Sequence, residues 1–282
     1  MSHPYRSVLY LPGARARVLE KARDLPADAL IFDLEDAVAP DDKPRARLLV
    51  SEMVQHDYGM RKRLIRINGL DTPWGQEDLS AAIAAAPDGI LLPKVNSAAE
   101  LQAIAAQLRG NTRLWAMMET PLGILNAREI AASTPLLEGL VMGTNDLIKE
   151  LFASHVPSRA PVLTALSTCL LAARAHGLVC VDGVYNAFKN EAGLKAECEQ
   201  GLAMGFDGKT LIHPAQIAVT NAVFAPDEAA LELARRYIKA FENSAGVAVV
   251  DGRIVENLHV ENAVRLLTKA DMIAKMNKGE RS

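Results

Sequence analysis

Short runs of β-branched and other apolar residues recur along the chain, each followed by a stretch whose apolar positions fall at helical spacing. The runs at residues 7–11, 29–33, 63–67, 89–93, 114–118, 140–143, 178–182 and 207–212 predict strands. Amphipathic stretches at 15–24, 43–56, 98–108, 127–133, 164–175 and 193–204 predict helices between them. Strand-then-helix alternation implies right-handed crossovers and a parallel sheet. About eight such units in this length fit an α/β fold of the (β/α)8 TIM-barrel type. An open doubly wound sheet shares the strand count and is the structural alternative.

After the eighth run the pattern changes. Residues 227–244 predict a helix that starts on Pro226-Asp227. Two β-rich runs then flank Asp251-Gly252, a strong hairpin signal. A last helix is expected over 258–275, with an apolar stripe of Leu258, Val260, Val264, Leu267 and Ile273, and a polar tail over 277–282. The organisation expected is a barrel over 1–225 and a helix–hairpin–helix extension over 226–282, serving as a lid or an oligomerisation arm.

Composition narrows the class. Of 282 residues, 50% are hydrophobic and 23% charged, enough to bury a large core. A net charge of −3 with pI near 6.1 lacks the basic excess that a nucleic-acid partner requires. Mean hydropathy is +0.07, and no apolar run approaches the roughly 20 residues of a membrane span. The first apolar stretch runs into Pro12-Gly13 and then a basic segment, the wrong order for a signal peptide. Cys169, Cys180 and Cys198 form neither a CxxC pair nor an even set, so no disulfide framework or zinc site is expected. A cytoplasmic enzyme fits these features.

In a parallel barrel, chemistry belongs at the C-terminal strand ends. Strand two ends in Asp33-Leu-Glu35-Asp36, strand three in Arg66-Ile-Asn68 and strand four in Pro93-Lys94. Strand five ends in Met118-Glu119-Thr120, strand six in Gly143-Thr-Asn-Asp146 and strand eight in Ile212-His213-Pro214. Acids converging with an arginine and a lysine suit a hard cation that also holds an anion. Magnesium takes one or two carboxylates and leaves its other positions to water and substrate, which suits Glu119 and Asp146. Asp146 has a competing reading as a helix N-cap. His213, Trp74, Trp115 and Cys180 have plain readings: a loop hydrogen-bonding group, two packing groups and a buried small hydrophobe.

The ordered strings Arg6-Ser-Val-Leu-Tyr-Leu-Pro-Gly13, Asp33-Leu-Glu-Asp-Ala-Val-Ala-Pro40 with Lys43, Arg66-Ile-Asn68, Leu92-Pro-Lys-Val95 and Met118-Glu-Thr-Pro121 resemble the HpcH/HpaI aldolase/citrate lyase superfamily. Asp182-Gly-Val-Tyr185, Gly205-Phe-Asp-Gly-Lys209 and Ile212-His-Pro214 continue the match, closest to the citrate lyase β-subunit-like branch. The resemblance covers nearly the whole chain. It implies an oligomeric barrel with a C-terminal lid that makes or breaks a C–C bond in a CoA thioester using Mg²⁺. It places the metal carboxylates on Glu119 and Asp146, which also touch substrate, and the substrate arginine on Arg66. Glu35 and Asp36 become the acidic pair that orients metal waters and Arg66. Tyr10, Arg15 and Lys21 fall in the region that meets CoA.

One departure stands out. In this group a lid aspartate entering a neighbouring subunit's site is thought to handle the proton on the acetyl carbon, and Glu256 stands at the aligned position. A glutamate can transfer the same proton, with its carboxylate displaced by about one methylene. Asp251 is the rival, although a hairpin turn explains it without catalysis.

The expected reaction is a retro-aldol cleavage of malyl-CoA or citramalyl-CoA, giving acetyl-CoA and glyoxylate or pyruvate. The alternatives are a malyl-CoA-type thioesterase and a citrate lyase β subunit acting on an acyl-carrier partner. A non-catalytic barrel fits poorly with so complete a set of acids. The partners expected are the CoA thioester, a keto acid and further copies of the chain in a trimer or hexamer that exchanges lids.

Overall fold

The computed structural model describes residues 3–242 and 246–279. Eight strands close into a parallel barrel in sequence order: β1 (Ser7–Pro12), β2 (Ala29–Asp33), β3 (Lys62–Arg66), β4 (Gly89–Leu92), β5 (Arg113–Met118), β6 (Leu137–Met142), β7 (Val179–Asp182) and β8 (Gly208–Leu211). β1 pairs with β8 in parallel, so the open-sheet alternative falls.

Around the barrel run α1 (Ala16–Lys21), α2 (Lys43–Met53), α3 (Gly75–Ala85), α4 (Ala98–Ala105), α5 (Pro121–Leu125), α6 (Ala127–Ala131), α7 (Thr144–Glu150), α8 (Leu163–Ala175), α9 (Glu191–Met204) and α10 (Ile217–Phe224). Three of these, α3, α5 and α10, are absent from the sequence expectation, and α7 enters it only through the N-cap reading of Asp146. α3 ends on Ala86 in the left-handed region, φ 47°, where glycine would ordinarily mark the stop. α5 and α7 span only 5 and 7 residues, too short for a helical period to show.

Strand periodicity sorts the residues into two layers. Val8, Ile31, Leu64, Leu91, Met117, Val141 and Val181 fill the barrel interior around Trp115, while alternate residues pack outward against the helices. A Cβ at Gly139 would stand 2.4 Å from the Trp115 ring, and one at Gly89 2.9 Å from it, so both glycines make room for the indole. Trp115 Nε1 donates to Glu138 Oε2 at 3.2 Å, which makes it the packing group expected. Asp182 and Lys209 face outward, wholly buried, where Lys209 Nζ donates to Glu197 Oε1 at 2.6 Å and the Gly183 carbonyl at 2.5 Å. These motif residues fasten β7 and β8 to α9.

Beyond the barrel come α11 (Glu228–Glu242), a hairpin of β9 (Ala248–Val250) and β10 (Arg253–Val255), and α12 (Asn257–Lys278). Asp227 Oδ1 accepts from Ala230 N at 2.7 Å at the start of α11, as the sequence indicates. The expected helix end at Ser244 and the tail over 280–282 lie outside the described residues. Asn277 and Lys278, expected in the tail, belong to α12. Asp251 and Gly252 have φ of 50° and 75°, the two left-handed residues of a tight hairpin turn.

α12 packs on α11, and the two helices adjoin the barrel at its N-terminal end. A cavity of about 740 Å³ lies between them, bounded by Tyr5, Val179 and Asp207 on the barrel side and Tyr237, His259 and Lys269 on the other. The extension therefore sits at the end of its own barrel opposite the C-terminal strand ends.

Candidate active site

β2 and β3 meet at the C-terminal end in a buried ion pair. Arg66 Nε and Nη2 each donate to Asp33, both at 2.7 Å, and the arginine side chain is only 6% exposed. Asp33 also accepts from the backbone of Glu35 at 2.9 Å and Ala37 at 3.0 Å, which folds the acidic loop back over the strand end. Lys43 staples that loop from outside: its ammonium donates to the Leu34 and Glu35 carbonyls, both at 2.9 Å, and to Asn68 Oδ1 at 2.7 Å. Burial alone would lower the pKa of Arg66, but Asp33 and Glu35 raise it well above its ordinary value.

The third nitrogen, Arg66 Nη1, lies 2.7 Å from Glu35 Oε2 in a Coulombic contact without hydrogen-bond geometry, and 3.4 Å from Asp36 Oδ2. Glu35 Oε1 accepts from Lys94 Nζ at 2.8 Å. Burial raises the Glu35 pKa, against the opposing pull of Arg66 and Lys94. Asp36 is 62% exposed at the rim. Tyr10 reaches up from β1, with the Arg66 guanidinium 4.8 Å from its ring centroid and its hydroxyl 3.7 Å from Met117 Sδ. Desolvation raises the phenol's pKa.

Glu119 follows β5 and is 1% exposed. Its Oε1 accepts from the backbone N–H of Lys94 at 2.8 Å, and Lys94 reaches this position with φ 50°, strained for a side-chain-bearing residue. Its Oε2 is buried and has no hydrogen-bond partner. The close approach depends on Gly143, where a Cβ would stand 2.3 Å from that oxygen. Burial first, then Glu35, pushes the Glu119 pKa up to about 8.

Asp146 sits half-buried in the first turn of α7, close enough to raise the pKa values of Glu119 and Lys94. Gly143 holds the N-cap position and no side chain caps the helix, so the N-cap reading of Asp146 does not apply. A buried carboxylate oxygen without a donor, next to a second carboxylate, is the donor set of a hard divalent cation. Among the described residues no group of three or more His, Cys, Asp or Glu forms a cage.

The structure thus brings Glu35, Asp36, Arg66, Glu119 and Asp146 together, with Tyr10 beneath Arg66. Arg15, at the N-cap of α1, and Lys21, in its last turn, lie exposed on the barrel's outer side. Glu256 stands apart from the acids: its carboxylate caps α12, and its backbone N–H donates to His259 Nδ1 at 3.1 Å. Asp251 pairs with Arg236. His213 is a loop group, its Nδ1 accepting from Ala215 N at 3.1 Å. Sequence reasoning counts Lys94 only as the lysine among the acids of the mouth and gives Asp33 no role of its own, although the inward period of β2 places Asp33 beside Arg66.

A closed parallel barrel with paired carboxylates at its C-terminal mouth defines a metal-assisted (β/α)8 enzyme. Residues 6–214 match the HpcH/HpaI aldolase/citrate lyase family, and the chain belongs to that family of lyase-type enzymes. It is 60% identical to the (3S)-malyl-CoA thioesterase of Cereibacter sphaeroides over 97% of both chains. It is 36% identical to citrate lyase subunit beta of Escherichia coli, over 95% of this chain and 93% of that one. The protein CitE from Mycobacterium tuberculosis, solved in complex with magnesium, acetoacetate and coenzyme A, superposes with a TM-score of 0.81 at 33% identity, covering 96% of this chain and 98% of CitE.

Proposed function

We propose that the protein is a Mg²⁺-dependent hydrolase of a 3-hydroxydicarboxylyl-CoA thioester, with (3S)-malyl-CoA as its substrate. The 60% identity to a (3S)-malyl-CoA thioesterase, end to end, carries this reading. Glu119 and Asp146 would hold Mg²⁺, which supplies Lewis-acid polarisation of the substrate oxygens when bound. Arg66, fixed by Asp33 and by the Tyr10 ring, directs Nη1 at the substrate oxygens. Glu35 has its proton affinity raised by burial, which suits it to accept the proton of the attacking water. The water oxygen bonds to the thioester carbonyl carbon, the C–S bond breaks, and CoA leaves as the protonated thiol. Arg15 and Lys21 offer the exposed cations for the CoA phosphates, and Tyr10 serves as the support of Arg66.

The second reading is the retro-aldol lyase on malyl-CoA or citramalyl-CoA, favoured by the relation to citrate lyase subunit beta and CitE. That reaction needs an acid at the enolate carbon, and Glu256 caps a helix of the extension at the far end of its own barrel. Hydrolysis moves protons only at oxygen and sulfur and needs no lid acid, whereas the lyase depends on Glu256 reaching the site of a neighbouring subunit.

Incubating the protein and Mg²⁺ with malyl-CoA and citramalyl-CoA, with products identified by mass, decides the matter. Free CoA with the hydroxy diacid is the expected outcome. Acetyl-CoA with glyoxylate or pyruvate establishes the lyase. Turnover only with an acyl-carrier partner establishes the citrate lyase subunit.

A further inference from the structure

The cavity of about 740 Å³ between the extension and the barrel lies at the end opposite the metal acids, and its volume falls in the range of small-molecule sites. Val179 of β7, Leu202 of α9, Phe206, Leu233 of α11 and Leu266 of α12 give it an apolar lining. Three cations bound it as well, Arg174, Arg265 and Lys269, against a single carboxylate, Asp207. That carboxylate is already engaged. Asp207 Oδ2 accepts from Arg174 Nη2 at 3.0 Å and from the Cys180 N–H at 2.8 Å. Asp28, the next acid to act on Lys269, is held by Arg6 through its Nε at 2.9 Å and its Nη2 at 2.8 Å. Among the described residues, neither Arg265 nor Lys269 forms a salt bridge or a side-chain hydrogen bond.

Lys269 breaks the pattern of its own helix. It follows Ala263 and Leu266 on the face of α12 that turns inward, ahead of the buried Ile273, where an apolar residue is expected. It is half-buried, and desolvation lowers its pKa against the pull of Asp207 and Asp28. A cation drawn out of water without a partner costs stability, which an anion in the cavity would return. Arg265, four residues earlier, adds a second cation on the same side of the helix.

We infer that this cavity is a second ligand site, which binds an organic anion with an apolar body. Lys269 and Arg265 hold its carboxylate or phosphate, and Phe206, Leu233 and Leu266 cover its body. An inorganic ion would leave most of the volume unfilled, and a neutral apolar molecule would leave the ammonium unpaired. An occupant touches α12 and the barrel at once, so binding secures the extension on its own barrel.

The test separates head from body. Octanoate, octyl phosphate, octanol and acetate are titrated calorimetrically into the wild-type protein, Lys269→Met and Arg265→Gln, with Mn²⁺ affinity and turnover measured alongside. Octanoate or octyl phosphate should bind, and the tighter of the two identifies the head group. Acetate keeps a head without the chain and should bind at least about 100-fold more weakly, since each buried methylene contributes several-fold. Lys269→Met should weaken octanoate binding about 10- to 100-fold, the loss of one charge-assisted bond, and Arg265→Gln, at an exposed position, by less. Octanoate should raise the melting temperature of the wild type but not of Lys269→Met. Mn²⁺ affinity and octanoate-free turnover should stay at wild-type values in both variants. The ligand-free melting temperature of Lys269→Met should hold or rise, because an unpaired cation is gone. Unchanged octanoate affinity in Lys269→Met overturns the inference. Octanol binding as tightly as octanoate also overturns it, because the cavity would then be an apolar gap. So does a lower melting temperature in ligand-free Lys269→Met, which would make Asp207 the partner of the ammonium.

Discussion

Arg66 lies edge-on to Asp33, with Nε to Oδ1 and Nη2 to Oδ2 both at 2.7 Å and each side chain nearly out of solvent. The pair crosses from β3 to β2 at the point where the acidic loop begins, so it fixes the loop and the remaining guanidinium nitrogen together. Removing one partner of a buried ion pair leaves an uncompensated charge and costs about 3–5 kcal/mol. Asp33→Asn should lower thermal stability and reduce kcat/KM along with it. Arg66→Lys keeps the charge but not the fork, and should lower kcat/KM roughly 100-fold through loss of charge-assisted hydrogen bonding worth about 1.5–3 kcal/mol. Thermal melts and steady-state kinetics of both variants check this. Wild-type values in either would show that the pair positions nothing.

The metal acids make a second test. Glu119→Ala and Asp146→Ala should abolish Mg²⁺-dependent turnover while leaving the fold, because each removes an oxygen from a site with few protein ligands. Gly143→Ala is more discriminating, since it keeps both carboxylates. Its Cβ would stand 2.3 Å from Glu119 Oε2, and relieving such overpacking typically costs about 1–3 kcal/mol. Turning the carboxylate away should weaken Mn²⁺ binding by about 5- to 150-fold on that scale. Unaltered Mn²⁺ titrations in Gly143→Ala would separate Glu119 Oε2 from the cation.

The expected pH dependence follows from Glu119. Burial, then Glu35, raises its carboxyl from 4.5 to about 8, so the metal-free folded protein keeps a proton that the unfolded chain has lost. Between those values the folded state binds more protons, and its stability falls as pH rises through that window. A divalent cation must displace the proton. Mg²⁺ affinity should therefore rise with pH up to about 8, with net proton release at neutral pH. Calorimetric titration in buffers of different ionisation enthalpy reads that release directly. Binding with no proton released would place the cation elsewhere.

Much of this site is legible in the sequence because barrel chemistry collects at strand ends. Glu119, Asp146 and Arg66 are visible there, and all eight strands fall within a few residues of their expected places. The pairing of the charges is less visible. Asp33, Glu35 and Asp36 read as one acidic string, yet the β2 period turns Asp33 onto Arg66 and leaves Asp36 62% exposed. Lys94 is visible only as the lysine among these acids, because neither its left-handed backbone nor the buried oxygen it holds leaves a trace in composition. The short α5 and α7 are hidden for a related reason: tertiary packing stabilises one or two turns that have too few residues to show a period.

The extension turns only part of its expected apolar stripe inward. Of the expected apolar stripe, Ile273 is buried and Val260 packs against the hairpin cluster, whereas Leu258 and Val264 stay exposed. Val249 and Ile254 on the hairpin are exposed as well. At the other end of the molecule, Leu122, Leu125 and Phe152 stand exposed on the segments that follow β5 and β6. Within one chain Glu256 lies away from the acids, so any part it takes in catalysis is in a neighbour's site. Under the lyase reading Glu256→Ala lacks the acid for the enolate carbon, and two inactive variants should then rescue each other. Co-expressed Glu256→Ala and Glu119→Ala chains with different tags form sites in which half the barrels are intact and half the lids are intact. Random assembly restores up to roughly a quarter of native activity, whether the ring closes at two subunits or three. Copurification of both tags establishes mixing. Mixed oligomers without activity would confine Glu256 to its role as the cap of α12, and full activity in Glu256→Ala alone would do the same.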